Sequence, residues 1–214
     1  MRDLGPIDLE PLMNTARDLA IAALEAGPGR SVEQGDLSLA LAASELLDLV
    51  EAGVLRVDGD RVVPGAQSAP VDPLLTEAAA TAVHQEPYES VEDWLWRRGR
   101  GLASAYDSAM EQEGLTARPR GLLIARRAGH AALVDSPERR RAEERRASGE
   151  PVFAALAAAA GIQDEPAGDP TDLTDDTVTT VLAAVGDAVM ELEAVRQRRA
   201  IENAAFDNIW RGGV

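Results

Sequence analysis

Twice in this chain a helical pattern with an acidic last turn ends on Gly and passes directly into a β-hairpin, at 37–63 and at 91–134. The stretches "LLDLVEAGVLRVDGDRVV" and "AYDSAMEQEGLTARPRGLLIA" share the order helix, acidic turn, Gly, Leu, strand. Most of the chain around them has helical periodicity. Only 3% of the residues are aromatic, so the core must be built from Leu, Val and Ala, a mixture that favours close-packed helices over sheets. The reading is a mainly α fold with two small β-hairpins.

The helical segments follow from apolar spacing and from their stop signals. Leu12, Ala16, Leu19, Ala20 and Ala23 mark a helix over about Leu9–Ala26, ended by Gly27-Pro28-Gly29. A second runs from Asp36 to Gly53 on Leu39, Ala42, Ala43, Leu46, Leu47 and Val50. Val54–Val57 and Arg61–Val63 then flank Asp58-Gly59, the strongest short signal for a tight hairpin turn. Pro64–Pro73 reads as a linker and Leu74–Val83 as a short helix. From Ser90 one long helix is expected to Glu113, followed by a second hairpin, Leu122–Ala125 with Ala131–Val134. A charged helix over Glu138–Arg146, an apolar one over Pro151–Ala160, and a long stretch after Thr174, with a break near Arg199, complete the chain.

Composition removes much chemistry. The 214 residues include no Cys and no Lys, so all 21 basic side chains are Arg. Disulfides, thiolate nucleophiles and Cys-ligated metals are excluded, as are the Walker loop, the kinase ATP site and Schiff-base catalysis. His84 and His130 lie in unrelated contexts without metal-ligand or triad spacing, Asp175-Asp176 read as first-turn acids of a helix, and Asp58-Gly59-Asp60 is turn chemistry. No catalytic residue, metal or cofactor is expected. The start of the chain is acidic and has no apolar run behind a basic flank, and Val152–Ala160 is too short for a span. A cytoplasmic protein is expected, with peripheral attachment to the inner membrane face as the membrane-bound option.

The net charge of −16 is unevenly spread. Residues 1–93 carry −13, residues 94–146 carry +5, and residues 147–214 carry −8. A basic middle in an acidic chain suits either an anion-binding surface or pairing with the flanking acids. Arg97, Arg98 and Arg100, beside Trp94 and Trp96, and Arg126 and Arg127 on the second hairpin are the candidates for an anionic headgroup, because Arg grips phosphate in bidentate fashion. For Arg139–Arg146 the favoured reading is local pairing with Glu138, Glu143 and Glu144 on a solvated face. A helix followed by a hairpin also raises a winged-helix DNA-binding regulator. Asp36–Gly53 has four acids and no Arg to read a groove, so that reading ranks well below, and no nucleic acid is expected as a partner.

The order of motifs resembles the Golgi phosphoprotein 3 family, in its actinobacterial branch. The residues that carry the resemblance are "LAIAALEAGPGR", "SELLDLVEAGVLRVDGDRVV", "DPLLTEAAATA", "VEDWLWRRGRGLASAYDSAMEQEGLTARPRGLLIARR", "EPVFAALAAAAGI" and "AVRQRRAIENAAFDNIW", which span nearly the whole chain. The resemblance implies a single domain over 1–214, a helix-bundle core ringed by amphipathic helices and hairpins. It also implies a non-enzymatic adaptor that binds phosphatidylinositol 4-phosphate at a membrane. By position, the Trp that stacks on the headgroup falls near Glu33 and one Arg near Ala42, both lost here; of the family's two helix Arg, Arg100 matches and the other falls near Ala103. The second hairpin is kept, and its apolar Leu122, Leu123 and Ile124 are the segment the resemblance brings to the membrane. An acid at Glu33, where a ring should stack, would repel phosphate, so at most half of the lipid site is present. The expected partner is therefore an anionic phospholipid headgroup or, where the lipid site has decayed, another protein; a homo-oligomer is also allowed.

Overall fold

The computed structural model describes residues 14–26, 32–67, 72–117, 132–163 and 175–211. Eight helices and two short antiparallel ladders occur among them: α1 (Thr15–Glu25), α2 (Gln34–Glu51), β1 (Leu55–Asp58), β2 (Arg61–Pro64), α3 (Pro73–Thr81), α4 (Val91–Arg98), α5 (Leu102–Gln112), β3 (Thr116–Ala117), β4 (Ala132–Leu133), α6 (Pro137–Ser148), α7 (Pro151–Ala159) and α8 (Asp176–Arg211).

A helix that other elements enclose on nearly every side needs apolar residues around most of its circumference, and α2 is that helix. Leu39, Ala40, Leu41, Ala42, Ala43, Leu46 and Leu49 are all at most 3% exposed. Its Ala residues let neighbours approach closely, and α1, α3, α4, α5, α7, α8 and β1 all pack against it. A helix enclosed in this way cannot enter a DNA groove. On α1, Leu19 and Ile21 add to the same core, and Trp94, Leu102, Met110, Phe153 and Leu156 close it from the later helices.

Local chemistry sets the boundaries. Asp72 accepts hydrogen bonds from Leu74 N and Leu75 N at 2.8 and 3.0 Å, and Pro73, whose missing N–H costs nothing at the first helical position, starts α3. Ser90 and Asp93 form a reciprocal capping box at the start of α4. Asp175 caps α8 by accepting from Thr177 N at 2.7 Å and Val178 N at 3.2 Å.

The single helix expected from Ser90 to Glu113 is two. It breaks at Gly99-Arg100-Gly101, where Gly101 takes the left-handed conformation (φ 72°) that a residue with a Cβ adopts only at a cost. The freed amide of Ala103 donates to Ser38 Oγ at 3.1 Å, so α2 itself satisfies the break. Conversely, α8 runs unbroken through Arg199.

In the first hairpin Leu55 pairs with Pro64 and Asp58 with Arg61, so the turn residues are Gly59-Asp60, one later than the Asp-Gly signal. The hairpin is tied to the start of α4 by Val62 N to Glu89 O (3.0 Å) and Val91 N to Asp60 O (2.8 Å). Its open end closes tightly: a Cβ on Gly65 would stand 2.2 Å from the Gly53 carbonyl oxygen. We expect Gly65→Ala to cost about 1–3 kcal/mol, because backbone on both sides cannot yield. An unchanged urea midpoint would refute this.

The second ladder pairs Thr116 with Leu133 and Ala117 with Ala132. One side falls in the expected strand. The other lies at Thr116–Ala117 and not at Leu122–Ala125, a stretch outside the described residues.

Candidate anion-contacting edge

The turn between α4 and α5 gathers the three arginines singled out in the sequence, and it sends them to three different environments. Arg98 points inward. Its Nε and Nη2 donate to Glu45 at 2.6 and 3.0 Å, Nη2 also donates to the Leu74 carbonyl at 3.0 Å, and the Tyr106 hydroxyl donates to Glu45 at 3.1 Å. The Arg98 side chain is 8% exposed and that of Glu45 fully buried. Burial pushes the Glu45 carboxyl up from its ordinary range, against the pull of Arg98 and Tyr106. Burial works the other way on Arg98, and the hydrogen bond and charge of Glu45 overcome it, so the guanidinium titrates above its usual value. This arginine is an internal counterion, and its donors are not presented to a headgroup.

Arg97 lies at the surface with one face engaged. It makes a two-point contact with Glu89 at 2.9 and 2.7 Å and stacks over the Trp94 ring at 5.0 Å. The Trp94 indole is held in turn by a hydrogen bond to the Ala42 carbonyl at 3.0 Å. Arg100, between the two turn glycines, is exposed and forms no ion pair among the described residues. Arg126, Arg127, Leu122, Leu123 and Ile124 lie outside the described residues, and β3 and β4 fix only where that segment leaves the body and returns.

Of the three remaining positions to which the resemblance assigns headgroup residues, two are not open. Ala42 is 0% and Ala103 1% exposed, both inside the α2–α4–α5 contact. Glu33 is the exposed N-cap residue of α2 and makes no capping bond with its side chain. Beside it, Leu192 and Arg196 of α8 lie over Gly35, and Arg196 pairs with Asp36 at 2.9 Å.

Three of the five arginines of α6 have long-range partners, which corrects for those three the expectation of local pairing on a solvated face. Arg139 pairs with Glu25 at 2.7 Å, Arg141 with Asp18 at 2.8 Å, and Arg145 with Asp18 at 3.4 Å and Glu150 at 2.9 Å. Arg139–Glu143, at 3.1 Å, is a pair with one of the expected acids, and Arg140 pairs locally with the exposed Asp135, at 3.1 Å. Sequence reasoning missed Asp18 altogether: it is 1% exposed on the apolar face of α1, where an isolated carboxylate would be prohibitive. An acid on a buried stripe was the available signal that a distant Arg must reach it. Five of the twelve arginines of residues 94–146, Arg97, Arg98, Arg139, Arg141 and Arg145, therefore pair with acids of the first 93 residues.

Of two depressions in the surface, only the first borders this network. One, of about 150 Å³, has Thr15, Asp48, Arg145, Glu150 and Asp175 in its wall, where the N-termini of α1, α7 and α8 converge. The other, of about 540 Å³, lies between the first hairpin, the start of α4 and α8. Its lining includes Asp60, Glu92, Asp93, Asp187 and Glu191 against the single Arg61, so it repels a phosphate. Among the described residues no group of three or more metal-ligating side chains is placed to hold an ion, and no helix is long and apolar enough to cross a membrane.

A search of curated proteins gives no match. The family model of Golgi phosphoprotein 3 (GPP34) matches residues 16–203, from the first residues of α1 into the last turns of α8, and with that match over an α-dominated fold the chain belongs to the Golgi phosphoprotein 3 family.

Proposed function

We propose that this chain is a non-catalytic protein-interaction module on the Golgi phosphoprotein 3 fold, one in which the phosphoinositide headgroup site has been dismantled. The observation that carries this reading is burial: Ala42 and Ala103 stand at 0% and 1% exposure where headgroup arginines are expected, and Arg98 is tied to Glu45. Restoring Arg at either Ala would place a guanidinium inside a packed helix crossing, so the loss reaches the backbone packing as well as the side chains. The proposed location is cytoplasmic.

A second reading rests on one specific observation, the exposure of Arg100. With the outer face of Arg97 and the Arg118, Arg120, Arg126 and Arg127 of a segment that contains no carboxylate, it supports a weak contact with any anionic membrane. Vesicle co-sedimentation separates the two. With phosphatidylinositol 4-phosphate or phosphatidylserine vesicles of equal charge, we expect the same low binding, falling as salt rises. Preferential pelleting with phosphatidylinositol 4-phosphate, abolished by Arg100→Glu, would overturn the dismantled-site reading. Salt-sensitive pelleting with both lipids, reduced by Arg100→Glu, would establish the membrane contact.

A further inference from the structure

We propose that the outward face of α8 is a self-association seam: two copies pair through antiparallel α8 helices, with Met190 of one against Ile201 of the other and Glu191 against Arg198.

The helix has two stripes. Val181, Val185, Ala188 and Leu192, in steps of four, three and four, face the core. Met190, Ala194, Gln197 and Ile201 repeat the same steps half a turn away and are all exposed. Met190 at 64% and Ile201 at 71% are the most exposed large hydrophobic residues among those described. Steps of four and three are the spacing of a two-helix seam.

A two-fold axis between Val195 and Arg196 brings this stripe onto itself. Met190 then lies opposite Ile201 of the second copy, and Ala194, small enough for close approach, opposite Gln197. Each pair occurs twice. The same axis puts Glu191 beside Arg198 of the second copy, both exposed on one flank of the seam, where such pairs set orientation. Charge fixes the direction as well: within nine residues of the axis the helix carries Asp187, Glu191 and Glu193 before it, and Arg196, Arg198 and Arg199 with the single acid Glu202 after it. Antiparallel pairing matches these blocks, whereas parallel pairing opposes like with like.

Geometry permits the arrangement. The body is attached to the Val181–Leu192 stripe, on the far side of α8, so the two bodies lie outside the helix pair. The pairing also gives the end of the helix something to pack on. Among the described residues its last side-chain bond to the body is Arg196 to Asp36 at 3.0 Å, residues 197–203 are exposed, and the helix continues to Arg211. A helical extension of this length, about 22 Å at 1.5 Å per residue, is marginal in water without a packing partner.

Sedimentation velocity of the full chain tests the seam up to about 100 μM, where a dimer with a micromolar Kd is mostly assembled. We expect a concentration-dependent dimer. Glu191→Arg and Arg198→Glu should each weaken it about tenfold, through two reversed pairs per dimer, and together restore it. The chain has no Cys, so Met190→Cys with Ile201→Cys adds the only thiols. Eleven residues apart on one helix they lie about 16 Å from each other, too far to bridge within a chain, so mild oxidation should trap a covalent dimer that neither single variant gives. A monomer at about 100 μM with an unchanged melting curve, single reversals without effect, a double reversal that fails to restore the dimer, or absence of the crosslink would each overturn the proposal.

Discussion

Replacing Arg98 by Met should destabilise the fold by about 3–5 kcal/mol, the cost of leaving a buried charge without its partner. Glu45 would keep only the Tyr106 hydroxyl, at 3.1 Å, after losing two guanidinium bonds of 2.6 and 3.0 Å. Water is no substitute, since the Glu45 side chain is fully buried among α2, α4 and α5. The Glu45 carboxyl, already raised by burial, would rise further, so the variant should lose most stability at neutral pH and recover part of it in acid, where the proton is retained. Changing Glu45 and Arg98 to Met together, with Tyr106→Phe to remove the orphaned hydroxyl, should regain most of the loss, because a buried ion pair offers little net stability over apolar packing of similar volume. Urea unfolding of the single and triple variants is the measurement. A loss under about 1 kcal/mol for Arg98→Met would show that Glu45 finds another partner, and Arg98 would return as a candidate ligand contact.

That outcome bears on why the same arginine read as a lipid contact in the sequence. Spacing shows only neighbours three or four residues apart, as it did for Arg139 and Glu143. Arg98 and Glu45 are 53 residues apart, and Arg141 and Asp18 are 123 apart, so the charge asymmetry between segments was visible while its resolution into pairs was not. Where structure is decided within a few residues the sequence was legible. The Ser90 cap, the Gly53 stop and the first hairpin stand where local chemistry put them, the hairpin turn shifted by one residue. The break at Gly99–Gly101 had a local signal, two glycines around one Arg, but the apolar stripe through Leu95, Leu102 and Tyr106 argued for continuity. The missing term was the Ser38 hydroxyl, which receives the freed amide from another helix. The family's headgroup positions were legible as substitutions at Glu33, Ala42 and Ala103. Only packing reveals that two of them are sealed.

The carboxyl of Asp48 should make the stability of this protein fall between acid and neutral pH. Both its oxygens accept backbone amides at the start of α1, Thr15 N at 3.0 Å and Ala16 N at 3.1 Å, in a site walled by Arg145 and Glu150. Burial is the dominant influence and outweighs these bonds and Arg145, pushing the carboxyl from 3.8 to about 7. Below pH 3.8 the proton is bound in both the folded and the unfolded chain, and the contribution is complete. As pH rises the unfolded chain releases it first, and the stabilisation is lost by the time the folded carboxyl titrates, near 7. At 1.36 kcal/mol per pH unit the change amounts to about 4 kcal/mol. Other acids contribute to the pH dependence too, among them Glu45, and comparison with Asp48→Asn removes their common contribution. Asn keeps one acceptor and sets its NH2 against the other amide, at a pH-independent cost of about 1–3 kcal/mol. The variant should therefore be the less stable chain at pH 4 and gain on the native one by up to about 4 kcal/mol towards pH 8. Urea unfolding of both chains across that range measures the difference. Parallel profiles would mean that the amides of α1 hold Asp48 ionised throughout, and that the N-terminus of α1 is pinned by a charge and not by a proton.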